Sequence, residues 1–254
     1  MVLSKNLDDK VLERINLKKT VTLELICSEF AISESTCRRV FKRLEEKGLI
    51  LRFHGGANSL DMKQDSIGVY DRFYTKADLK DLIAQEAAKM VRPFNTIFLM
   101  GGTTVSRMCK FIKDLPLKVI TNSLLVFNEL SMVKNIDLVL LGGNFNRNES
   151  DFRGPLTTIN SKLFTCDHIF MGADGYIRNA GFSTEDEGVI DLYRSSMLLA
   201  NNSYLLTDSS KFTNRGKAII APLKDVTHVF TDYLVPSEIV EELRESSINV
   251  VIAK

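Results

Sequence analysis

Apolar residues recur at helical spacing three times within the first fifty positions of the chain. This spacing predicts helices over residues 8–17, 23–30 and 34–47. Thr22 and Ser33 stand immediately before the second and third helices, where a side-chain oxygen can accept a hydrogen bond from a free backbone N–H group. The beginning of the chain is therefore predicted to form three short helices joined by tight turns.

The third predicted helix has an apolar face and a basic face. Cys37, Phe41 and Leu44 are spaced four and three residues apart and are predicted to face inwards. The basic residues of this stretch fall within ten positions and point elsewhere: Arg38, Arg39, Lys42, Arg43 and Lys47. A basic helix after a short helix and a tight turn is the layout that places a recognition helix in the DNA major groove. The alternative is a small helical domain with a solvated basic face.

A two-stranded wing is predicted to follow this helix. Gly48 is a typical helix stop, residues 49–53 have the pattern of a strand, and residues 54–56 that of a tight hairpin turn. Residues in the first turn of the third helix can reach base edges, and its arginines can bind guanine edges or phosphates. The predicted contacts to a double-stranded operator are Ser33, Ser35, Thr36, Arg38, Arg39, Lys42, Arg43, Arg52, His54 and Gly55.

From about residue 75 onwards, helical and strand patterns alternate. Helices are predicted over residues 76–91, 104–112 and 124–133. Short apolar runs predict buried strands over residues 96–100, 118–121, 136–141, 168–171, 203–207, 228–231 and 249–252. Continuous apolar strands between helices are typical of a mainly parallel sheet covered on both faces, so the predicted fold class is α/β.

Three small polar loops follow three of these strands. They are Gly101-Gly102-Thr103-Thr104, Thr121-Asn122-Ser123 and Gly142-Gly143. In open α/β sheets, ligands bind beyond the carboxyl ends of the strands, where glycines permit close approach and free helix N–H groups favour an anion. Each loop taken alone is also typical of a plain strand-to-helix turn. Three such loops at one edge of one sheet favour a ligand that carries a phosphate group.

Charge and composition are those of a soluble protein with a basic beginning. Residues 1–56 hold 11 Lys and Arg against 8 Asp and Glu, a net charge of +3, whereas residues 57–254 hold 22 against 24, a net charge of −2. No apolar run reaches the roughly 20 residues of a membrane helix, and the first 20 residues are too charged for a secretory signal. The four cysteines lie outside any metal-binding spacing and are expected to be reduced. A cytoplasmic location without a membrane partner is expected.

The motifs of both parts resemble those of the DeoR family of transcriptional regulators. Residues 33–39, 44–49 and 52–57 are similar to the DeoR-type winged helix-turn-helix. Further motifs resemble the DeoR sensor domain in the same order, and the most specific is the run Asp208-Ser209-Ser210-Lys211-Phe212. The family typically has aspartate where this chain has Val40 and Met100. The first change is expected to remove a charge beside the DNA-facing side, and the second to alter which sugar fits.

The resemblance implies a function and a site. DeoR sensor domains share their fold with ribose-5-phosphate isomerase and glucosamine-phosphate deaminase, and family members respond to phosphorylated sugars or polyols. The resemblance adds four residues to the predicted site: Arg72, Lys80, Asp174 and Lys211. Either lysine could instead be a plain surface cation. The predicted effector site comprises Arg72, Lys80, Gly101, Gly102, Thr103, Thr104, Thr121, Asn122, Ser123, Gly142, Gly143, Asp174 and Lys211.

The chain is therefore predicted to be a repressor of sugar or polyol genes that works as a homodimer or homotetramer. Residues 1–57 are predicted to form the DNA-binding domain, residues 58–74 the linker and residues 75–254 the sensor domain. The main alternative is a sugar-phosphate isomerase or deaminase, whose loop Asp-Gly-Ala-Asp-Glu would correspond here to residues 171–175, without the flanking acids. A third possibility is an interaction module that does not bind DNA. Catalytic residues, a cofactor and a metal site are not predicted, since His54, His168 and His228 fall in no nucleophile or metal pattern.

Overall fold

The computed structural model describes residues 7–18, 20–53, 55–59 and 68–254. The chain divides into two compact units, Met1–Thr75 and Lys76–Lys254. Residues 60–67 of the predicted linker lie outside the described residues, as does His54. The predicted domain limits at residues 57 and 75 stay a prediction.

The first unit contains the three predicted helices and the predicted wing. Its described elements are α1 (Leu7–Lys18), β1 (Thr20–Thr22), α2 (Leu23–Phe30), α3 (Glu34–Glu46), β2 (Ile50–Phe53), β3 (Gly56–Ser59) and α4 (Val69–Tyr74). The predicted caps are confirmed, because Thr22 Oγ1 accepts from Leu25 N at 3.1 Å and Ser33 Oγ accepts from Thr36 N at 3.3 Å. Gly48 ends the third helix with φ at +65°, a backbone conformation that favours glycine.

Strand pairing extends this unit beyond what the sequence pattern indicated. β3 lies between β1 and β2 in an antiparallel sheet, and Asn58 pairs with both Thr20 and Leu51. Asn58 and Ser59 are buried, and Ser59 Oγ donates to Asn16 Oδ1 at 2.8 Å. The interpretation of residues 58 and 59 as linker is therefore wrong in secondary structure. Their polar side chains concealed a strand whose backbone is satisfied by its two neighbours.

The second unit is built on a parallel sheet of seven strands. These strands are β4 (Thr96–Leu99), β5 (Leu117–Thr121), β6 (Ile136–Leu140), β9 (Cys166–Met171), β12 (Ala200–Leu206), β14 (His228–Asp232) and β15 (Asn249–Ala253). Their order is β15-β14-β12-β9-β4-β5-β6, and every neighbouring pair is parallel. All seven predicted strands are confirmed, and so is the mainly parallel α/β fold.

Helices cover the sheet and bury a core on each side of it. They are α5 (Ala77–Ala88), α6 (Thr103–Ser106), α7 (Cys109–Ile112), α8 (Leu124–Leu130), α9 (Pro155–Ser161), α10 (Ile190–Met197) and α11 (Ser237–Glu245). One core includes Leu99 and Phe170, and the other includes Phe98 and Met171, as expected where successive side chains point to opposite faces. The helix predicted over 104–112 is interrupted at Arg107, so it forms two short helices.

Short antiparallel pieces were missing from the sequence prediction. β7 (Asn144–Asn146) pairs with β8 (Asp151–Arg153), and β10 (Gly175–Ile177), β11 (Gly181–Thr184) and β13 (Ala218–Pro222) form a further sheet. Strands of three residues, such as β7, β8 and β10, carry too few side chains for a periodic pattern. Among the described residues, no helix is long and apolar enough to cross a membrane.

The burial of the two described histidines predicts how the free energy of unfolding depends on pH. His168 and His228 lie on either side of the Tyr204 ring, at 5.2 and 5.0 Å between ring centroids. Burial lowers the pKa of both imidazoles below the ordinary value of 6.5. The unfolded chain therefore takes up protons before the folded chain does, and the free energy of unfolding is expected to fall as the pH drops below about 6.5.

Thermal unfolding at about pH 7.5 and about pH 5.5 checks this prediction. The double variant His168→Gln/His228→Gln is the control, because amide side chains do not titrate in this range. An equal loss of melting temperature in the variant and the parent protein would contradict it.

Candidate functional site

The basic face of α3 is exposed. Arg38, Arg39 and Lys42 lie on the solvent side, and 54% of the Arg38 side chain and 69% of the Lys42 side chain are exposed. Arg38 Nη2 contacts Glu34 Oε2 at 3.4 Å, which is a surface ion pair of the weakly stabilising kind. These cations are therefore held loosely and can turn towards an anionic partner.

Ser33 and Arg43 have structural partners in the first unit. The Ser33 hydroxyl caps α3 and lies 3.0 Å from the hydroxyl oxygens of both Ser35 and Thr36. Arg43 donates to Asp8 through Nε at 2.9 Å and Nη2 at 2.6 Å, which ties α3 to α1. This hydrogen bonding lowers the pKa of Asp8. The geometry of Arg43 favours a role in holding the helices together.

Val40 lies in the core, not beside the DNA-facing side. Its side chain is fully buried together with Cys37, Phe41 and Leu44. The expectation that this departure removes a charge from the DNA-facing side is therefore wrong. Val40 is one residue before Phe41 and three after Cys37, so it widens the buried stripe of the helix.

The wing carries one of the predicted cations close to α3. Arg52 Nη1 on β2 contacts Glu45 Oε2 on α3 at 3.3 Å. Gly55 is exposed at the turn with φ at +108°, and its carbonyl accepts from Leu23 N at 2.6 Å. A left-handed φ at this tip explains why glycine stands there. His54, the remaining predicted wing contact, lies outside the described residues.

In the second unit, the three predicted loops lie side by side. They follow β4, β5 and β6, which are adjacent parallel strands, so all three emerge at one edge of the sheet. Gly101 N donates to Asn122 Oδ1 at 3.0 Å, which joins the first loop to the second. Gly102 has φ at +138° and precedes α6, which begins at Thr103. Thr104 is buried on that helix.

The middle loop is turned into the fold. Thr121, Asn122 and Ser123 are each at most 1% exposed. Thr121 Oγ1 donates to Leu99 O at 2.7 Å and accepts from Ser123 N at 3.0 Å, and Ser123 Oγ caps α8. Their side chains therefore position the loops. In contrast, Gly101, Gly102 and Thr103 are partly accessible, Gly142 is exposed and Gly143 is half-buried.

A strand missing from the sequence prediction crosses all three loops. β8 reaches the first loop through Asp151, whose Oδ2 lies 3.0 Å from the position of a Cβ atom on Gly101. Phe152 N donates to Asn122 O at 2.8 Å in the second loop. The carbonyl of Arg153 lies 2.9 Å from the position of a Cβ atom on Gly143 in the third. The sequence pattern that could have indicated this strand is the alternation of charged and apolar residues at Asp151, Phe152 and Arg153.

Arg153 is the centre of an ion cluster on this strand. Its guanidinium holds Asp151 through two hydrogen bonds of 2.9 and 2.7 Å and also contacts Asp186. Burial raises the pKa of the Asp151 carboxyl, and the bonds from Arg153 oppose this rise. The Tyr193 hydroxyl, whose pKa burial also raises, donates to Gly101 O at 3.4 Å. Asp151 and Tyr193 therefore lie against the first loop, and Arg153 is linked to it through Asp151.

Two further predicted residues follow neighbouring strands of the same sheet. Asp174 comes after β9 and accepts at Oδ2 from Thr184 Oγ1 and from Glu185 N, both at 3.1 Å. Lys211 comes after β12, in a turn that begins at the buried residue Asp208. Burial raises the pKa of Asp208, but the hydrogen bond from Ser210 and the charge of Lys76, whose Nζ lies 3.2 Å from Asp208 Oδ1, outweigh this effect. The pKa of Asp208 is therefore lowered.

The remaining predicted residues lie on helices. Lys80 is 5% exposed on α5, a helix that packs against α6. Arg72 lies on α4, within the first unit. Met100 is fully buried at the end of β4, where its N–H donates to Phe170 O at 3.0 Å. Met100 therefore supports the loop from within. In the part of the chain that the structure describes, no three His, Cys, Asp or Glu residues are grouped to hold a metal ion.

A winged helix-turn-helix with an exposed basic helix, joined to an α/β unit with polar strand ends, defines a DNA-binding regulator with a sensor domain. The comparisons with known families agree. Residues 8–63 match the DeoR-like helix-turn-helix domain, and residues 75–233 match the DeoR C terminal sensor domain. The chain belongs to the DeoR family and is a transcriptional regulator.

Relatives match along nearly the whole chain. The HTH-type transcriptional regulator YulB of Bacillus subtilis is 31% identical over 241 residues, covering 95% of this chain and 93% of the relative. The lactose phosphotransferase system repressor of Lactococcus lactis is 31% identical, covering 93% and 94%. Among solved structures, ribose 5-phosphate isomerase A of Methanocaldococcus jannaschii overlaps with 54% of this chain and 55% of its own, at 23% identity and a TM-score of 0.40.

Proposed function

We propose that this regulator is a repressor of genes for the uptake or use of a sugar or polyol, and that a phosphorylated form of that compound is its effector. The observation that carries the proposal is the row of three loops of small residues (Gly, Thr, Asn and Ser) at one edge of the parallel sheet. The lactose phosphotransferase system repressor, similar in sequence along nearly the full length of both chains, supports the sugar assignment. A free helix N–H group and a nearby cation are what a phosphate group requires.

Operator binding is assigned to α3 and the wing. Arg38, Arg39 and Lys42 supply exposed cations, and Ser35 and Thr36 stand in the first turn of α3. One small head makes too few contacts for tight specific binding, so a homodimer or homotetramer on a repeated operator is proposed. Arg52 and Gly55 would contact the phosphate backbone from the wing.

Effector binding is assigned to the carboxyl edge of the sheet. Gly101, Gly102 and Thr103 offer accessible backbone at the start of α6, and Gly142 and Gly143 offer it after β6. Lys211 supplies a cation and Asp174 can accept hydrogen bonds from sugar hydroxyls. An inducing effector must bind the DNA-free form more tightly than the DNA-bound form, since linkage is reciprocal.

The test combines DNA binding with a ligand panel. Fluorescence anisotropy measures the affinity for DNA fragments upstream of the protein's own gene and of adjacent sugar genes, at fixed salt concentration. Glucose 6-phosphate, fructose 1-phosphate, ribose 5-phosphate and glycerol 3-phosphate are then added, with the unphosphorylated compounds as controls. A phosphorylated compound that weakens operator binding and raises the melting temperature supports the proposal. Failure to bind any of these DNA fragments, together with turnover of a sugar phosphate, would favour the enzyme alternative.

Lys211→Ala is expected to reduce the effector response without weakening operator binding. The lost ammonium–phosphate interaction corresponds to about 1.5–3 kcal/mol, so roughly tenfold to hundredfold more effector should be needed. The measurement is the effector concentration that releases half of the operator. Lys217→Ala is the matched control, because its ammonium contacts Glu185 at the surface, 3.5 Å away. An unchanged response in Lys211→Ala would remove this lysine from the site.

A further inference from the structure

The guanidinium of Arg153 lies between two carboxylates of different accessibility. Nε and Nη2 hold Asp151, whose side chain is 7% exposed, whereas Nη1 contacts Asp186, whose side chain is 46% exposed. Asp186 can be hydrated when it leaves Arg153, whereas Asp151 would remain as a buried carboxylate without a cation, which is strongly destabilising. Of the two, Asp186 is therefore the anion that another anion can replace.

The same ion cluster adjoins the first loop, residues 101–104. The Asp151 oxygen that contacts Arg153 Nη2 at 2.7 Å is also the one that lies 3.0 Å from the Cβ position on Gly101. The backbone carbonyl of Arg153 approaches Gly143 in the third loop. A guanidinium held on a strand that crosses these loops is positioned to meet a group bound among them.

Donor count and ligand charge favour a phosphate group over Asp186, provided that Asp186 leaves. One guanidinium faces two carboxylates, so the cluster has a net charge of −1, and loss of the Asp186 carboxylate leaves Arg153 and Asp151 with no net charge. A guanidinium has five N–H donors, of which these contacts use three. A phosphate dianion carries twice the charge of a carboxylate and binds a guanidinium through two parallel hydrogen bonds. Repulsion between that dianion and Asp186 would drive the carboxylate out.

We propose that Arg153 binds the phosphate group of the effector and that Asp186 is the internal anion that this phosphate displaces. The proposal rests on the sugar-phosphate function above and names the residue pair through which that site responds. No sequence motif indicated this pair, because Arg153 and Asp186 are 33 residues apart.

Displacement of Asp186 has a consequence for the neighbouring segment. Asp186 Oδ1 caps the 3-10 turn at Glu187–Val189 by accepting from Gly188 N at 2.8 Å. Asp186 N donates to Thr184 Oγ1, and this hydroxyl donates in turn to Asp174 Oδ2, both at 3.1 Å. Release of Asp186 from Arg153 therefore loosens the turn that leads into α10 while Asp174 engages the sugar. Binding of the phosphate group is therefore expected to move the turn at Glu187–Val189.

The experiment uses inorganic phosphate as the probe of the full-length protein. Its dissociation constant is measured by 31P NMR titration at constant ionic strength for the parent protein and for Asp186→Asn. Asparagine retains the cap oxygen but carries no charge, so phosphate should bind about threefold to tenfold more tightly. Glu185→Gln is the matched control, since it removes one negative charge from the adjacent residue, whose partner is Lys217. The control should change the constant by less than about twofold.

The role of the Arg153 guanidinium in phosphate binding is tested with the double variant Asp151→Asn/Arg153→Gln. Replacing both partners avoids leaving a buried carboxylate alone, and circular dichroism checks that the fold is kept. Phosphate binding should weaken at least about tenfold. Unaltered binding in this double variant overturns the role of Arg153, and equal effects of Asp186→Asn and Glu185→Gln overturn the displacement.

Failure here is distinguishable from failure of the proposed function. If a sugar phosphate releases the operator equally well from the parent protein and from both the Asp186 and the Asp151/Arg153 variants, only this inference is wrong. If no sugar phosphate affects the operator yet inorganic phosphate binding still follows Arg153, the sugar-phosphate function is wrong and this cluster is an anion site without that role. If inorganic phosphate binds none of the variants nor the parent protein, the assignment of Arg153 is overturned.

Discussion

Replacing Arg38 and Arg39 together by alanine is expected to weaken operator binding by about 100-fold or more. A well-placed arginine contact to a guanine edge corresponds to about 1–3 kcal/mol, and two of them account for a loss of this size. Among the described residues, neither side chain makes a buried contact, because Arg38 pairs with Glu34 and Arg39 Nε donates to Ser35 O at the surface. Fluorescence anisotropy at fixed salt measures the loss.

The control for this prediction removes the same charge elsewhere. Lys113 and Lys134 are exposed residues of the second unit, and Lys113→Ala/Lys134→Ala lowers the net charge by the same two units. This variant should bind the operator within about threefold of the parent protein. Equal affinity of the two double variants would show that bulk charge, and not the face of α3, determines binding. A melting temperature unchanged in Arg38→Ala/Arg39→Ala separates loss of contact from loss of fold.

Gly143→Ala is expected to destabilise the second unit by about 2–6 kcal/mol and to impair the effector response. The φ of Gly143 is +152°, and an added Cβ would lie 2.0 Å from Thr157 Oγ1 and 2.9 Å from Arg153 O. The strain of this backbone conformation and the steric overlap each cost roughly 1–3 kcal/mol. Urea unfolding followed by circular dichroism measures the stability, and operator release measures the response.

Gly142 provides the matched control for Gly143. A Cβ on Gly142 meets no atom within 4 Å, so Gly142→Ala should change stability by less than about 1 kcal/mol. Removing the hydroxyl in Gly143→Ala/Thr157→Ala should recover only part of the loss, because the Arg153 carbonyl stays in place. Equal stability of the two single glycine variants would contradict the steric explanation.

Several elements of this protein could be predicted from the sequence because their signals are local. α2 was predicted to the residue, since Thr22 caps it and its apolar positions lie at helical spacing. The seven strands of the parallel sheet were predicted because each contains a short apolar run, which in inner strands such as β4 and β14 is almost entirely buried. The three polar loops could then be placed at one edge, since parallel strands end on the same side.

The orientation of individual side chains depended on tertiary structure. Val40 could not be placed from its neighbours, because only packing of α3 against the other helices shows how wide the buried stripe is. Arg43 belongs to the same basic run as Arg38, yet its partner Asp8 lies 35 residues away. Arg38 pairs with Glu34 four residues away on its own helix, whereas no local pattern indicates the pairing of Arg43 with Asp8.

The sequence by itself determined the two-part organisation, the positions of the buried strands along the chain and the edge where polar loops gather, because helix caps, apolar periodicity and glycine turns act within a few residues. Only the tertiary structure decided which groups meet at that edge. β8 crosses the three loops, and Arg153 meets Asp186 from a distant segment. Contacts between residues far apart in the chain arise from the packing of whole elements, and that packing depends on the entire chain at once.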